Sequence, residues 1–225
     1  ADVAIIGVSS GTTGAPQTVS ISHACLFARY AIARSSPQWR PGGRFLVTSP
    51  LAFSATRKHV LSRLLDGGTV VFTPLFFSAN DIVSRVAETG ANSMLTVPSV
   101  ARQLIELAPV NTPLFPDMDW LMCCGAPMSP QEKVDARVRL CGGFVQNYGS
   151  TMAGMITLLE TLDIDTHPES VGRPLLNVLV EVVDAKHNPL GVGEVGNIRV
   201  RTPGAADELQ DDLAEGERNS DLVIH

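Results

Sequence analysis

The sequence has 225 residues, 44% of them hydrophobic, which is typical of a folded globular chain with one large domain or two small ones. Its formal net charge is -6 and no cluster of lysine and arginine stands out, so neither nucleic acid nor an anionic membrane is an expected partner. No apolar run reaches the ~18 residues that a membrane-spanning helix needs, so membrane insertion is not expected.

The four cysteines have neither C-x-x-C spacing nor a paired histidine, so we expect no zinc site. No signal peptide is visible at the start of the chain. Free thiols fit a reducing compartment best, and the predicted location is therefore the cytoplasm.

Short apolar runs alternate with amphipathic stretches over the first two thirds of the chain. In chain order, we predict strand 3–8, helix 19–34, strand 45–48, helix 55–65, strand 69–73, a helix capped at 78 and ending at 90, strand 93–97, a helix opening at 98, strand 120–123, helix 129–140 and strand 144–147. This alternation requires crossover connections, so we predict an α/β fold with a largely parallel sheet and flanking helices.

The pattern changes after about residue 155. Three short strands, 155–159, 178–183 and 195–201, follow one another with turns and without a helix, which predicts a smaller antiparallel β region. The predicted organisation is therefore an α/β core over 1–155, an antiparallel β subdomain over 156–204 and a polar tail over 205–225.

A loop rich in serine, threonine and glycine follows the first predicted strand, at 9–16. Glycines permit turns with positive φ, and hydroxyls with backbone N–H groups can surround phosphate oxygens. The following helix, 19–34, would add its N-terminal dipole. An ordinary loop is the alternative. The candidate phosphate-binding residues are Ser10, Gly11, Thr12, Thr13 and Gly14.

Two further motifs come at the ends of later predicted strands, where open α/β sheets bind their ligands. One contains Gly125, Ala126 and Pro127, for which a plain strand-to-helix turn is the alternative. The other runs from 147 to 151, where Tyr148 can stack on a purine and the hydroxyl of Thr151 can reach a phosphate.

Together these stretches resemble the adenylate-forming superfamily, which includes acyl- and aryl-CoA synthetases, peptide-synthetase adenylation domains and luciferases. The string Ser-Ser-Gly-Thr-Thr-Gly-x-Pro at 9–16 matches the phosphate loop of that family. The resemblance is nearly continuous from 2 to 204 and patchy beyond. It implies binding of ATP and AMP, with Thr151 as the catalytic residue at the α-phosphate. The implied adenine-binding residues are Gly125, Ala126, Pro127, Asn147, Tyr148 and Gly149.

Two positions depart from the family pattern at the phosphate–metal cluster. Gln17 stands where the family carries a lysine, and Met152 stands where its glutamate helps to hold Mg²⁺. The resemblance implies ATP and Mg²⁺ as cofactors. Because a thioether is a poor ligand for a hard cation, no metal ligand is assigned in this sequence. Weakened chemistry is the expected consequence.

The segment 50–54 resembles the one that lines the acyl pocket in the family, which assigns Phe53 and Ser54 to that pocket; for Phe53 a core position is the alternative. Neighbouring apolar residues such as Val60 and Val70 favour an apolar acid over an amino acid. In the tail, Asp212 and Arg218 resemble the ribose-binding residues. They stand closer together than in the family, so we expect either absent segments or an unstructured acidic tail.

The resemblance therefore predicts a ligase that uses ATP to activate a carboxylic acid, such as a fatty acid, as an acyl-adenylate and then forms a thioester with CoA. The alternative is a weakened or inactive nucleotide- or acyl-binding module derived from such an enzyme. Family members carry a long region before the phosphate loop and a C-terminal domain after the hinge. Neither has a counterpart here, so we interpret the chain as a fragment.

Overall fold

A seven-stranded sheet flanked by helices is the main feature of the fold, which a computed structural model describes for residues 2–9, 17–37, 39–206 and 221–224. The strands are β1 (Val3–Ser9), β2 (Gln17–Ser22), β3 (Arg44–Val47), β4 (Thr69–Phe72), β5 (Ser93–Thr96), β6 (Trp120–Cys123), β7 (Phe144–Ser150), β8 (Gly154–Leu159), β9 (Arg173–Pro174), β10 (Leu179–Val183), β11 (Asn197–Arg201) and β12 (Asp221–Ile224). The helices are α1 (His23–Arg34), α2 (Ser54–Leu65), α3 (Ala79–Thr89), α4 (Pro98–Leu107), α5 (Pro130–Arg139) and α6 (Thr161–Thr166).

The large sheet has the strand order β4-β3-β5-β6-β7-β8-β9, and the strands β4, β3, β5, β6 and β7 pair in parallel. Strands β10, β11 and β12 form a separate antiparallel sheet, and β1 pairs with β2 in an antiparallel hairpin. The predicted fold class, a largely parallel sheet with flanking helices followed by a smaller antiparallel region, is confirmed.

Local signals in the sequence account for the helix boundaries. Ser78 and Asp81 form a capping box at the start of α3, and Gly90 ends that helix in the left-handed conformation. Ser129 and Glu132 form a second capping box at the start of α5. Each box satisfies backbone N–H groups that the first turn of a helix leaves without partners.

The helix predicted over 19–34 is wrong in its first turn. Residues 17–22 form strand β2, in which Val19 and Ile21 are buried and pair with positions on β1. Helix α1 begins only at His23, where the hydroxyl of Ser22 accepts a hydrogen bond from the backbone N–H of Cys25. The alternation of apolar and polar residues has a period of two here. The phosphate loop itself lies outside the described residues, so the contribution of this helix dipole to it stays a prediction.

Strands β7 and β8 and helix α6 also differ from the prediction. Strand β7 continues to Ser150, three residues beyond its predicted end, so the tyrosine motif lies within the strand except for Thr151, which begins the turn after it. The predicted strand 155–159 is observed as β8, and it belongs to the seven-stranded sheet. Helix α6 follows it, in a region for which no helix was predicted. At six residues α6 is too short to give a clear periodic signal.

The chain divides into two compact units, each assembled from separate segments. One comprises 1–35, 149–156 and 174–225, and the other comprises 36–148 and 157–173. The second unit contains the parallel strands and a large apolar core in which Leu121 and Phe144 are fully buried. The boundaries at 155 and 204 stay a prediction.

His59 on α2 is buried in an aromatic cluster of this second unit. Its ring lies 5.6 Å from that of Trp120, 6.0 Å from Phe45 and 6.2 Å from Trp39, measured between centroids. Among the described residues, neither ring nitrogen has a hydrogen-bond partner. Burial lowers the pKa of His59 well below its ordinary value, and the positive charges of Lys58 and Arg63 lower this pKa further.

We predict that His59 makes folding less favourable under acidic conditions. The unfolded chain takes up a proton near pH 6.5 whereas the folded chain does not, so the free energy of unfolding falls as the pH drops below that value. The slope from this one group reaches about 1.4 kcal/mol per pH unit. His59→Phe should remove this component in urea titrations between pH 5 and 8, taken as roughly the range of histidine titration. His167→Gln, at an exposed histidine, should retain it, and equal slopes in the two variants would contradict the assignment.

Candidate nucleotide-binding site

The residues after β6 and the end of β7 lie at one edge of the parallel sheet. Strands β6 and β7 are neighbours, and Cys123 pairs with Gln146. Because parallel strands present their carboxyl ends on the same side, the turn that contains Gly125 and the strand end that carries Tyr148 leave from this common edge. The structure thus brings the Gly125 turn and Tyr148 to one edge within one unit, whereas Gly149, the last residue of the second predicted segment, belongs to the other unit.

The turn after β6 is open to solvent. The backbone N–H of Cys124 donates to the carbonyl of Thr96 at 3.1 Å, which continues the pairing with β5. Gly125 then adopts a φ of +92°, which side-chain-bearing residues rarely adopt, and a Cβ there would meet only Val97, at 3.9 Å. Backbone conformation, and not crowding, therefore requires the glycine, and the surface above the turn is free for a ligand.

Tyr148 and Asn147 differ in how much of each side chain is available. Tyr148 is half-buried, and burial raises the pKa of its phenol, so the ring stays neutral. Asn147 is buried, and its amide nitrogen donates to the carbonyls of Thr157 and Tyr148 at 2.7 and 3.0 Å. This amide nitrogen therefore holds the strand in place, whereas the ring of Tyr148 is the better candidate for stacking.

The end of β7 and the turn after it lie in the other unit. A Cβ on Gly149 would be 2.3 Å from the carbonyl oxygen of Gly154, so only glycine fits this strand. The hydroxyl of Ser150 accepts a hydrogen bond from the N–H of Ala153 at 3.0 Å. Thr151 is partly buried, and its carbonyl accepts a hydrogen bond from Arg29. The motif is thus a tightly packed strand end followed by a short, ordered turn.

Met152 packs into a small apolar core of the same unit. Its neighbours in this core include Val19, Ile21 and Cys25, all of which are buried. No group of three His, Cys, Asp or Glu side chains that could hold a metal ion occurs among the described residues. At the position where the resemblance implies a carboxylate for Mg²⁺, the structure therefore has a partly buried thioether packed against apolar residues.

The predicted acyl-pocket residues follow β3, at the same edge of the sheet as the adenine-binding segments. Phe53 precedes the first residue of α2, and 62% of its surface is exposed; Ser54, the first helical residue, is partly buried. Leu51 is also exposed, so the connection presents apolar side chains to solvent. The core position considered for Phe53 does not fit this exposure.

Several predicted site residues cannot be placed. The phosphate-binding candidates Ser10, Gly11, Thr12, Thr13 and Gly14 and the ribose-binding candidates Asp212 and Arg218 lie outside the described residues. A cavity of about 240 Å³ lies at the other edge of the sheet, where Gly43, Ser93 and Trp120 are among its lining residues at the amino ends of β3, β5 and β6. It is therefore separate from the candidate site.

A family model described as "AMP-binding enzyme" matches residues 1–208. The chain belongs to the AMP-binding enzyme family.

Three relatives illustrate the breadth of the AMP-binding enzyme family. A nonribosomal peptide synthetase of Aspergillus fumigatus is 27% identical over 194 residues, which are 84% of this chain and 9% of that protein. The medium/long-chain-fatty-acid–CoA ligase FadD8 of Mycobacterium tuberculosis is 27% identical over 203 residues, 88% of this chain and 35% of the ligase. The amide bond synthetase McbA of Marinactinospora thermotolerans superposes with a TM-score of 0.80 at 27% identity, covering 99% of this chain and 49% of the synthetase. The chain thus spans less than half the length of each of the three.

Three polar side chains that the sequence analysis did not select are buried close to the AMP-binding enzyme motifs. Thr96 on β5 and Gln146 on β7 lie in register on either side of Cys123, and among the described residues neither the Thr96 hydroxyl nor the Gln146 carbonyl oxygen has a partner. Arg29 on α1 is also buried. Arg29 is surrounded in the sequence by alanines and apolar residues of α1, and this pattern could have indicated a buried arginine.

The four cysteines are buried, and three of them have raised pKa values. None of the four cysteines forms a disulfide, and burial raises the pKa values of Cys123, Cys124 and Cys141, which favours the protonated thiol. In the described part of the chain, no helix combines the length and apolarity needed to cross a bilayer.

We predict that Gly149→Ala destabilises the protein because the added methyl group would collide with the backbone of Gly154. Overpacking of this kind costs about 1–3 kcal/mol. Gly142→Ala is the matched control: it lies in an exposed turn, and nothing is within 4 Å of the new methyl group. Urea unfolding of both variants measures the difference, and equal stabilities would contradict the packing described for the motif.

Proposed function

We propose that this chain is the nucleotide-binding part of a ligase that activates a carboxylic acid with ATP and then forms a thioester with CoA. The observation that carries the proposal is the common edge shared by the Gly125 turn and the end of the strand with Tyr148. Membership of the AMP-binding enzyme family supports a nucleotide as the ligand of this edge. The activity, substrates and partners of the whole protein are part of the proposal.

In the proposed reaction, a carboxylate oxygen attacks the α-phosphorus of ATP. The bond from this phosphorus to the oxygen that bridges to the β-phosphate breaks, and pyrophosphate leaves with the bonding electrons. Tyr148 stacks on adenine beside Gly125, and the hydroxyl of Thr151 holds an α-phosphate oxygen. The CoA thiol then loses its proton to water, and its sulfur attacks the acyl carbon. The bond from this carbon to the phosphate oxygen breaks, and AMP leaves with the bonding electrons. The side chains contribute positioning and charge stabilisation, and no step is assigned to a metal.

An apolar acid is the proposed substrate. Leu51 and Phe53 present apolar surface at the carboxyl edge of the sheet, where the acyl group would lie. The relatives named above make peptides, CoA thioesters and amide bonds, as their names state, so the acceptor is the more variable partner. We propose CoA as the acceptor because the proposed apolar acid is similar to the substrate named for the fatty-acid–CoA ligase.

A second candidate function is a nucleotide- or acyl-binding module with weak or no turnover. Gln17 stands where the resemblance implies a lysine, and Met152, which packs against an apolar core, stands where it implies a metal-binding glutamate. A charge-assisted hydrogen bond contributes about 1.5–3 kcal/mol, so the loss of the lysine alone would slow the reaction by about one to two decades.

We predict that the full-length protein slowly releases pyrophosphate from ATP, and only when a carboxylic acid substrate is present. The test uses a panel of fatty, aryl and amino acids. Fatty or aryl acids should give the faster release because the exposed surface after β3 is apolar. A coupled pyrophosphate assay measures the rates. Binding of ATP without any pyrophosphate would favour the module, and a preference for amino acids would contradict the proposed substrate class.

The double change Gln17→Lys with Met152→Glu should increase turnover by restoring a cation and a carboxylate. Met152→Glu also places a charge against an apolar core, so it should lower the free energy of unfolding, whereas Met152→Leu should not. Rates are therefore compared at a temperature at which circular dichroism shows each variant to be folded. Unchanged turnover in the folded double variant would place the defect elsewhere.

We predict that Tyr148→Ala weakens ATP binding by about fivefold or more, because stacking of a base on an aromatic ring contributes about 1–3 kcal/mol. Tyr148→Phe retains the ring and should bind ATP within about twofold of the native protein, since stacking needs the aromatic ring and the phenol stays neutral. Isothermal titration calorimetry gives both affinities. Equal affinities in all three proteins would exclude stacking by this residue.

A further inference from the structure

The buried guanidinium of Arg29 connects three backbone carbonyls that are far away in sequence. Its Nη2 donates to the carbonyls of Thr151 and Met152, both at 2.9 Å, and its Nε donates to the carbonyl of Gly204 at 2.8 Å. Only 3% of the residue is exposed. Hydrogen bonds from a charged donor are stronger than neutral ones, and burial shields them from water.

Two glycines leave room for this side chain. A Cβ on Gly154 would lie 3.2 Å from Nε of Arg29, and a Cβ on Gly204 would lie 3.0 Å from its Cγ. Gly154 also has a φ of +76°. The backbone is therefore shaped on two sides around the arginine, which indicates a fixed position for the guanidinium.

Other bonds connect the same segments. The N–H of Ala206 donates to the carbonyl of Met152 at 2.8 Å, and the thiol of Cys25, one turn before Arg29 on α1, donates to the carbonyl of Gly204 at 3.3 Å. Helix α1, the 151–152 turn and the 204–206 segment therefore form one hydrogen-bonded assembly. Arg29 contacts all three parts of it.

We propose that Arg29 is a positioning residue for Thr151, a role that rests on the proposed function of Thr151 at the α-phosphate. Because residue 152 is a methionine packed into an apolar core, this position offers no carboxylate through which a metal could order the turn. Arg29 orders the turn from the protein side, through the carbonyls of Thr151 and Met152. The hydroxyl of Thr151 then meets the phosphate in a set orientation.

The test is a double-mutant cycle on the full-length protein, with pyrophosphate release and ATP affinity as readouts. Arg29→Lys keeps the charge but replaces the planar group, which donates from two nitrogens, with a single ammonium. We expect kcat to fall by about tenfold with the KM for the acid unchanged, since the lost orientation acts on the transition state. In the Thr151→Ala background, the same change should alter kcat by less than about twofold, because the group being positioned is gone.

Arg34→Lys is the matched control. Arg34 lies on the same helix but is exposed and contacts Tyr30, so its replacement should leave kcat within about twofold of the native value. If Arg29→Lys does not fold, Gly204→Ala provides the second variant, since its methyl group would press on Cγ of Arg29.

The outcomes separate this inference from the proposed function. Arg29→Lys effects of equal size with and without Thr151→Ala would overturn the positioning role and indicate a general structural one. A native protein that releases no pyrophosphate contradicts the proposed function. In that case the Kd for ATP is measured for each variant of the cycle. Non-additive effects of Arg29→Lys and Thr151→Ala on this Kd support the inference, and additive effects overturn it.

Discussion

The parallel pairing of β3, β5, β6 and β7 is the constraint on which the candidate site depends. Parallel strands present all their carboxyl ends at one edge, so segments that are more than twenty residues apart in sequence, such as the Gly125 turn and Tyr148, become neighbours. Each crossover needs a helix, and capping boxes at Ser78 and Ser129 begin two of these helices at defined residues. The site is therefore a consequence of strand direction more than of any single side chain.

The turn after β7 combines apolar packing with hydrogen bonds from a buried arginine. A carboxylate at 152 would remain hydrated or bind a cation, whereas the thioether of Met152 packs with Val19 and Ile21. The carbonyls of the same turn accept hydrogen bonds from Arg29. Apolar packing and a buried arginine thus hold a segment in which the resemblance implied a metal ligand.

Much of the fold could be predicted from the sequence because its signals are local. The capping serines, Pro98 at the start of α4 and the apolar strands of the parallel sheet act within a few residues of themselves. The alanines at 24, 28 and 31 have helical spacing, and the predicted helix was extended from them towards the N-terminus over Val19 and Ile21. Pairing with β1, which is not visible in the local sequence, makes this stretch a strand instead. Helix α6 was too short for any periodic signal.

The candidate site divides in the same way. Gly125 and Tyr148 could be selected from short motifs, since a glycine turn and an aromatic residue after a strand have local causes. Arg29 could not be given a role from the sequence, because the carbonyls it holds are 122, 123 and 175 residues away along the chain. The use of Asn147 as a donor to Thr157 was equally invisible, because it depends on the approach of β8 to β7.

The most direct test of the central claim is to locate the bound adenine. Photolysis of the full-length protein with 8-azido-ATP, followed by mass spectrometry of the labelled peptides, identifies the residues that contact the base. We expect label in the peptides that contain Gly125–Pro127 or Tyr148, and we expect this label to disappear when excess ATP competes. Competable label confined to peptides from the opposite edge of the sheet, such as the one around Gly43, would contradict it.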